Sequence, residues 1–414
     1  MSEATSKLPH VSQDFRRLWA AYTVSELGTA LSLGALPLIA TLVLHASVLQ
    51  VSLLAALGGV AGAALALPLG PWIEVRRKRP VMIGADLLRG AALASLPAAA
   101  LLGRLSYPQL CLVAMAQSVG AIAFQAAGGA HLKALVPAEQ RATANGRFEA
   151  TFWTANTAGP PLGGVLIAGL GATATVGLDA LSFLLSALGI RRLRSPEPPP
   201  PPPTGERQRL AQLTAGWRYV LGHRPLRALF GNTLLFGGGV MAAMPLMTVL
   251  MLRDLALTPW QYGLSFGLSC LGGLLGALAA PPLTRRFGER RVLLTSGVAK
   301  TLPFVLVPLA PPGVTGLVFI TVGQFLLIGA AGTFNPTFAT YRMRETEDAY
   351  MARVTVSWSI STRTIQPICI AAGGLLAAAT STRTALFVVA AVVLASALPL
   401  PWRARAPALS SAAG

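Results

Sequence analysis

Gly70-Pro-Trp-Ile-Glu74-Val-Arg76-Arg77-Lys78-Arg79-Pro80 is a short basic loop set between two long apolar stretches. Half a chain later the pattern returns in weaker form, as Pro281-Pro-Leu-Thr-Arg285-Arg286-Phe-Gly288-Glu289-Arg290-Arg291. That echo also lies between apolar stretches. A basic loop recurring at the same place in two halves reads as a duplicated membrane chain with both loops on one side of a bilayer.

Composition agrees. Of 414 residues, 53% are hydrophobic and only 12% charged, where a soluble chain carries about 25% charged residues. The 42 glycines and 31 prolines are tolerable in membrane helices, whose neighbours re-satisfy freed backbone groups. The net charge of +18 does not indicate nucleic acid, because it lies in short loops rather than in a patch interleaved with stacking aromatics. No nucleic-acid partner is expected. Cys111, Cys270 and Cys369 fall in apolar stretches without a CxxC pair, and His10, His45, His131 and His223 are scattered. No disulfide, metal site or cofactor is expected from these. Phe15-Arg-Arg-Leu-Trp19 leads into an apolar stretch too long for a signal-peptide core, so it reads as a retained first helix.

A helix needs about 20 apolar residues to cross the hydrocarbon core. Twelve candidates meet this, at 17–44, 48–73, 80–103, 107–130, 148–170, 173–190, 226–252, 260–283, 291–310, 314–337, 352–380 and 383–401. The fold class is therefore all-α integral membrane, with twelve transmembrane helices in two six-helix pseudo-repeat halves. The expected division is an N-terminal bundle at 1–190, a cytoplasmic linker at 191–225 and a C-terminal bundle at 226–414. The linker carries the run Pro198 to Pro203, a polyproline II spacer, and Gln208 to Gly222 reads as an amphipathic surface helix. With the N-terminus placed inside, 27 of the 33 Lys and Arg fall in inside segments and three, Arg104, Arg253 and Arg383, in outside loops. The positive-inside rule then sets both termini in the cytoplasm of a cell membrane.

A second repeat supports duplication. Glu139 to Arg147, ahead of the fifth span, matches Glu345 to Arg353, ahead of the eleventh, in its acidic start and basic end. With these features the chain resembles the major facilitator superfamily from about Asp14 to Pro401. Its loop is similar to that family's signature between helices two and three, Gly-x-x-x-Asp-Arg-x-Gly-Arg-Arg. Glu74 stands for the Asp, Val75 for the Arg and Arg77 for the Gly. The resemblance implies a cytoplasmic latch made by Gly70, Glu74, Arg76, Lys78, Arg79, Asp86 and Arg89. Because Arg285 replaces the acid in the echo, the latch is expected mainly in the first half. Asp86-Leu-Leu-Arg89 and Leu178-Asp179-Ala-Leu-Ser-Phe183 resemble a bacterial drug-efflux subfamily that includes macrolide and siderophore exporters. The fifth span resembles the antiporter signature Gly-x8-Gly-x3-Gly-Pro-x2-Gly-Gly. It reads Gly146, Ala155, Gly159-Pro160 and Gly163-Gly164, with one small-residue departure at Ala155. Pro160 with Pro161 is expected to bend the span; in relatives such a bend favours exchange over uniport, so the resemblance points to export.

Ionisable groups inside a span mark a pathway or a structural pair. Glu26, near the middle of the first span, has no cation at i±3 or i±4. It is the first candidate for proton coupling, against a structural hydrogen bond to another helix. Asp86 and Arg89 read as an i, i+3 ion pair. Asp179 in the sixth span is a packing or second protonation site. Lys300 is expected to snorkel to the cytoplasmic surface. Arg363 adjoins a polar stripe of Thr355, Ser359, Thr362 and Gln366; pairing with Asp179 or Glu26 and attraction of an anionic substrate both remain open. Further cavity candidates are Gln117, Gln125, Trp153, Asn156, Asn232, Met241, Gln324 and Trp358, amide, thioether and aromatic groups suited to bulky amphipathic ligands.

The expected function is secondary active transport: a proton-coupled exporter of bulky amphipathic small molecules, acting as a monomer in the lipid bilayer. The alternatives are an importer or symporter on the same fold, or export of an anionic siderophore-like metabolite. No nucleophile–base pair, HExxH or Walker motif is present in the sequence, so an enzyme or an ATP-driven pump is not expected.

Overall fold

A computed structural model describes residues 13–137, 141–195, 197, 216–347 and 350–402. Helices occupy all twelve places expected from the apolar spans. In chain order they are α1 (Gln13–Leu31), α2 (Ala35–Leu38), α3 (Val48–Glu74), α4 (Lys78–Leu101), α5 (Tyr107–Leu135), α6 (Arg141–Leu170) and α7 (Ala172–Arg191). They continue with α8 (Arg224–Val249), α9 (Pro259–Phe287), α10 (Glu289–Ala299), α11 (Val314–Arg344), α12 (Met351–Ala379) and α13 (Thr382–Ala395). Among the described residues, eight helical segments are long and apolar enough to cross a membrane by length and composition alone. Many large apolar side chains stay uncovered, among them Leu112, Leu162, Leu278 and Leu375. Lipid is the natural solvent for such surfaces.

Two spans are not the continuous helices expected. The first breaks after Leu31, re-forms as α2 and ends in a π turn at Ile39–Val43. The ninth stops at Ala299 and resumes as a 3-10 turn at Leu302–Leu306. Pro303 lacks the N–H that an α-helix would donate to the Ala299 carbonyl, so one rung of the α ladder is missing where the helix breaks. Of the expected surface helix, residues 216–222 are described and helical; the polyproline run lies outside the described residues.

The backbone carries the duplication more clearly than the side chains do. The π turn at Ile39–Val43 has a counterpart at Leu250–Asp254. His45 and Ala256 are the two described non-glycine residues with positive φ, at 49° and 51°. Ala46 N donates to Ala40 O and Leu257 N to Met251 O, at 2.8 and 2.9 Å. Ser47 N and Thr258 N then donate to the Gln50 and Gln261 side chains, closing the helix starts that follow. Every pair is separated by 211 residues.

The chain divides into two compact units, 1–204 with 248–268, and 205–247 with 269–414. In the first, α4 packs broadly on α7 and α5, α1 on α7 and α6, and α3 on α5. Its core gathers Phe15, Leu18, Met82, Phe124 and Ile190. Residues 248–268 join it, with Arg253 Nη2 donating to the carbonyls of Thr41 and Ala46 at 3.2 and 2.6 Å. In the second unit, α11 packs on α10 and α12 on α13, around Leu226, Leu293, Phe334, Tyr341 and Trp358.

Candidate functional site: a charge cluster in the first unit

Arg89 projects from α4 into the packing of α1, α5 and α7. Its Nε donates to Gln117 Oε1 at 3.1 Å, and Gln117 Nε2 donates back to the Arg89 carbonyl at 2.8 Å. Nη2 reaches Thr29 Oγ1 at 3.5 Å, and Cζ lies 4.0 Å from the centre of the Phe183 ring. Gly120 of α5 leaves room for the stem, since a Cβ there would come within 2.5 Å of Arg89 Cγ. Three carboxylates act on this guanidinium: Asp179, Asp86 and Glu26. None forms a contact ion pair with it. The expected Asp86–Arg89 pair is therefore absent. Asp86 is fully buried facing Ser186, with neither carboxylate oxygen in hydrogen-bond geometry. Three-residue spacing places the two on one helix face, but Gln117, Thr29 and Phe183 draw the guanidinium towards α1, α5 and α7.

Asp179 is buried on α7. It accepts from Ser32 Oγ at 2.5 Å and from Ser182 Oγ at 3.2 Å. Gly28 of α1 permits that approach: a Cβ there would meet Asp179 Oδ1 at 2.8 Å and collide with Ser182. Glu26, on the same helix, is half-buried, with Asn156 and Tyr22 against its carboxylate. The cation neighbouring Glu26 and Asp179 is thus Arg89, from within the first unit.

Among the described residues the basic loop meets its acid at Glu197. The surroundings of Gly70 and the side chain of Glu74 lie outside the described residues. Glu197, beyond α7, accepts from the backbone N–H groups of Lys78 and Arg79 at the start of α4. A carboxylate there satisfies free N–H groups and complements the helix dipole. Arg79 donates to the carbonyls of Leu193 and Ser195, Lys78 Nζ to those of Ile73 and Arg76, and Arg76 stacks on Trp72. Asp14 accepts from Arg17, Arg194 and Ser195. The segment after α7 is thereby strapped to the starts of α1 and α4. The echo loop has an acid of its own: Glu289 pairs with Arg344 of α11, so the acid comes from Glu289 rather than from the Arg285 position.

In α6 the small-residue pattern is a close-packing face. Ala155 is fully buried. A Cβ on Gly159 would crowd Ala30, one on Gly163 would collide with the Leu31 carbonyl, and one on Gly164 would press on Pro259 and Trp260. Pro160 and Pro161 lie inside the helix. The surroundings of Gly146 lie outside the described residues.

The sequence profile of the Major Facilitator Superfamily matches residues 18–361 and 229–413. The chain belongs to the Major Facilitator Superfamily. This superfamily transporter is 28% identical over 334 residues to the multidrug efflux pump Tap of Mycolicibacterium fortuitum, covering 78% of this chain and 80% of that one. It is 30% identical over 258 residues to Tap of Mycobacterium tuberculosis, 59% of each chain. Solved structures with the same fold include the nucleoside transporter NupG (TM-score 0.70, 14% identity, 94% of this chain and 98% of that one). A bacterial homologue of the iron transporter ferroportin is another (TM-score 0.71, 20% identity, 94% and 97%). The transporter is a multi-pass membrane protein that moves small molecules, not an enzyme.

The remaining candidates separate by burial. Gln125, Trp153 and Arg363 are exposed, while Met241, Thr362 and Gln366 are half-buried. Thr355 and Ser359 are exposed too, so α12 presents the expected polar stripe along an open face. Gln117 and Asn156 belong to the charge cluster. Gln324 is buried against Met247 Sδ at 3.1 Å, and Trp358 packs edge-on to Phe230. Asn232 has no exposed surface and donates to the Ser396 carbonyl at 2.6 Å. Lys300 does not snorkel: it is buried, with Nζ 3.0 Å from Asn232 Oδ1. Thr29 shares a helix face with Glu26 by its i, i+3 spacing, whereas sequence reasoning missed Ser32 and Ser182, whose signal was a small polar residue close in sequence to Glu26 or Asp179.

Proposed function

We propose that this transporter is a proton-coupled exporter of bulky, amphipathic small molecules, working as a monomer in the cell membrane with both termini cytoplasmic. The observation that carries the reading is the gathering of Glu26, Asp179 and Asp86 around one half-buried arginine, Arg89. A cation that touches none of its three acids can be redistributed among them. When Glu26 or Asp179 takes up a proton, Arg89 loses one counter-charge and leans towards the others. Because Glu26, Thr29 and Ser32 share the first span while Asp179 and Phe183 lie on α7, that shift changes how the first span sits on α7. Close packing at Gly159 and Gly163 transmits such a movement to α6. In this reading the half-buried Glu26 exchanges protons with the pathway and Asp179 acts as the second site.

Candidate substrate contacts are Trp153 and Gln125 within the first unit and, within the second, the polar face of α12 with Arg363, Thr362 and Gln366. The names of the Tap relatives support drug-like substrates. The working division is two bundles, 1–190 and 226–414, joined by the linker 191–225, with the latch at the basic loop. The test uses inverted membrane vesicles and ethidium as probe. Glu26→Gln is expected to lose proton-driven ethidium uptake and Asp179→Asn to reduce it. Full proton-driven uptake in both variants overturns the reading.

A further inference from the structure

Lys300 occupies, in the second unit, the register that Arg89 occupies in the first. Arg89 is eleven residues into α4 and Lys300 is eleven residues past the start of α10. Their separation is the same 211 residues that relates the two π turns, the two positive-φ residues and the two helix starts. The surroundings differ in kind. Asn232 of α8 offers Oδ1 to Nζ at 3.0 Å, and its own Nδ2 is engaged by Ser396 O. Phe334 of α11 and Phe236 of α8 present their rings at 3.5 and 4.2 Å. Among the described residues no charged group acts on the ammonium. The described acids of this unit, Glu289, Glu345 and Glu347, lie at or beyond helix ends, and the first two pair with Arg344. The other charged or titratable groups on the surrounding elements, Arg224 and Arg227 of α8, Arg290 and Arg291 of α10, Tyr341, Arg342 and Arg344 of α11 and Arg383 of α13, lie near helix ends. At the register of Asp179 in α7, seven residues in, α13 carries Val389. At the 211-residue offset from Glu26 stands Gly237.

Two further features define the site. The ninth span breaks at Lys300, with α10 ending at Ala299 and a 3-10 turn starting at Leu302. The carbonyl end of a broken helix is a favourable place for a cation. The hydrogen-bond partner is an amide oxygen, not a carboxylate. An ammonium donates to that oxygen, and so does a neutral amine, because either form retains an N–H. A carboxylate partner would hold the lysine charged; an amide and two ring faces accept both forms. Arg89 has no such freedom, because a guanidinium stays protonated.

We infer that Lys300 is a further proton-binding group of the transporter, beyond Glu26 and Asp179, releasing one proton to water as its ammonium becomes an amine and recovering it later in the cycle. The two units then divide the work. The first holds a permanent cation and acids that titrate around it, and the second holds a cation that titrates and no acid in its place. This rests on the proton-coupled reading above.

The test uses the purified full chain in liposomes with ethidium as probe. Wild type, Lys300→Arg and Lys300→Gln are each assayed for accumulation driven by a pH gradient and for exchange of labelled against unlabelled probe at equal pH. Exchange returns the loaded carrier and needs no net proton movement. Both variants are expected to keep exchange while gradient-driven accumulation falls about tenfold or more. If Lys300→Arg accumulates like wild type, a fixed charge suffices and the inference is overturned. If Lys300→Arg loses exchange and accumulation together, the lysine is a packing element and the inference is again overturned. A wild type indifferent to the pH gradient removes the proton-coupled reading itself, an outcome distinct from either of these.

Discussion

Arg89 shows how far a residue can be read from its neighbours in sequence. The presence of an intramembrane arginine beside Asp86 was legible, and so was the position of Glu26 and Asp179 inside spans. Their partnership was not, because the direction of the guanidinium is set by Gln117 on α5, Phe183 on α7 and the room left by Gly120. Those contacts are remote in sequence and carry no periodic signal. If Arg89 is the shared counter-charge, its loss strands buried carboxylates. Arg89→Met is expected to destabilise the protein by about 3 kcal/mol, read as a lower thermal midpoint in detergent. Adding Asp179→Asn removes one stranded charge, so the double variant should regain a large part of that loss. Additive losses would show that the two groups do not interact.

At the scale of elements, the spans were legible from apolar length, because a bilayer demands it, while their interruptions were not. The break after Ala299 falls just ahead of Pro303, yet the other helix-interior prolines, in α4, α6, α8, α9, α11 and α12, interrupt nothing that the backbone records. Tertiary packing decides which proline ends a helix. The small-residue face of α6 makes the same point with a sharper test. Gly163 lies where a Cβ would collide with the Leu31 carbonyl, whereas nothing lies within 4 Å of a Cβ on Gly169 of the same helix. Gly169→Ala should be neutral or stabilising by up to about 1 kcal/mol, the helix-propensity gain. Gly163→Ala should lower the thermal midpoint and weaken exchange, because α6 must retreat from α1. Equal effects at both positions would reduce the motif to helix propensity.

For the whole molecule, the duplication seen first in two basic loops is written most clearly in the backbone, as one offset of 211 residues through the first three spans of each half. Side chains differ over it: Lys300 stands opposite Arg89, Gly237 opposite Glu26, and the acid of the echo loop is Glu289. A backbone repeat survives such divergence because turn geometry and helix starts constrain few residues, while charges are free to specialise each half. The same basic loops give the orientation its own test. If the Lys and Arg asymmetry places them inside, single cysteines at Arg104 and Arg383 should react with a membrane-impermeant maleimide on intact cells. Cysteines at Arg76 and Arg290 should react only after permeabilisation. The background must lack the chain's free thiols Cys111, Cys270 and Cys369, two of which are only half-buried. Labelling of Arg76→Cys and Arg290→Cys on intact cells would invert the topology, and with it the cytoplasmic placing of both termini and of the basic loops.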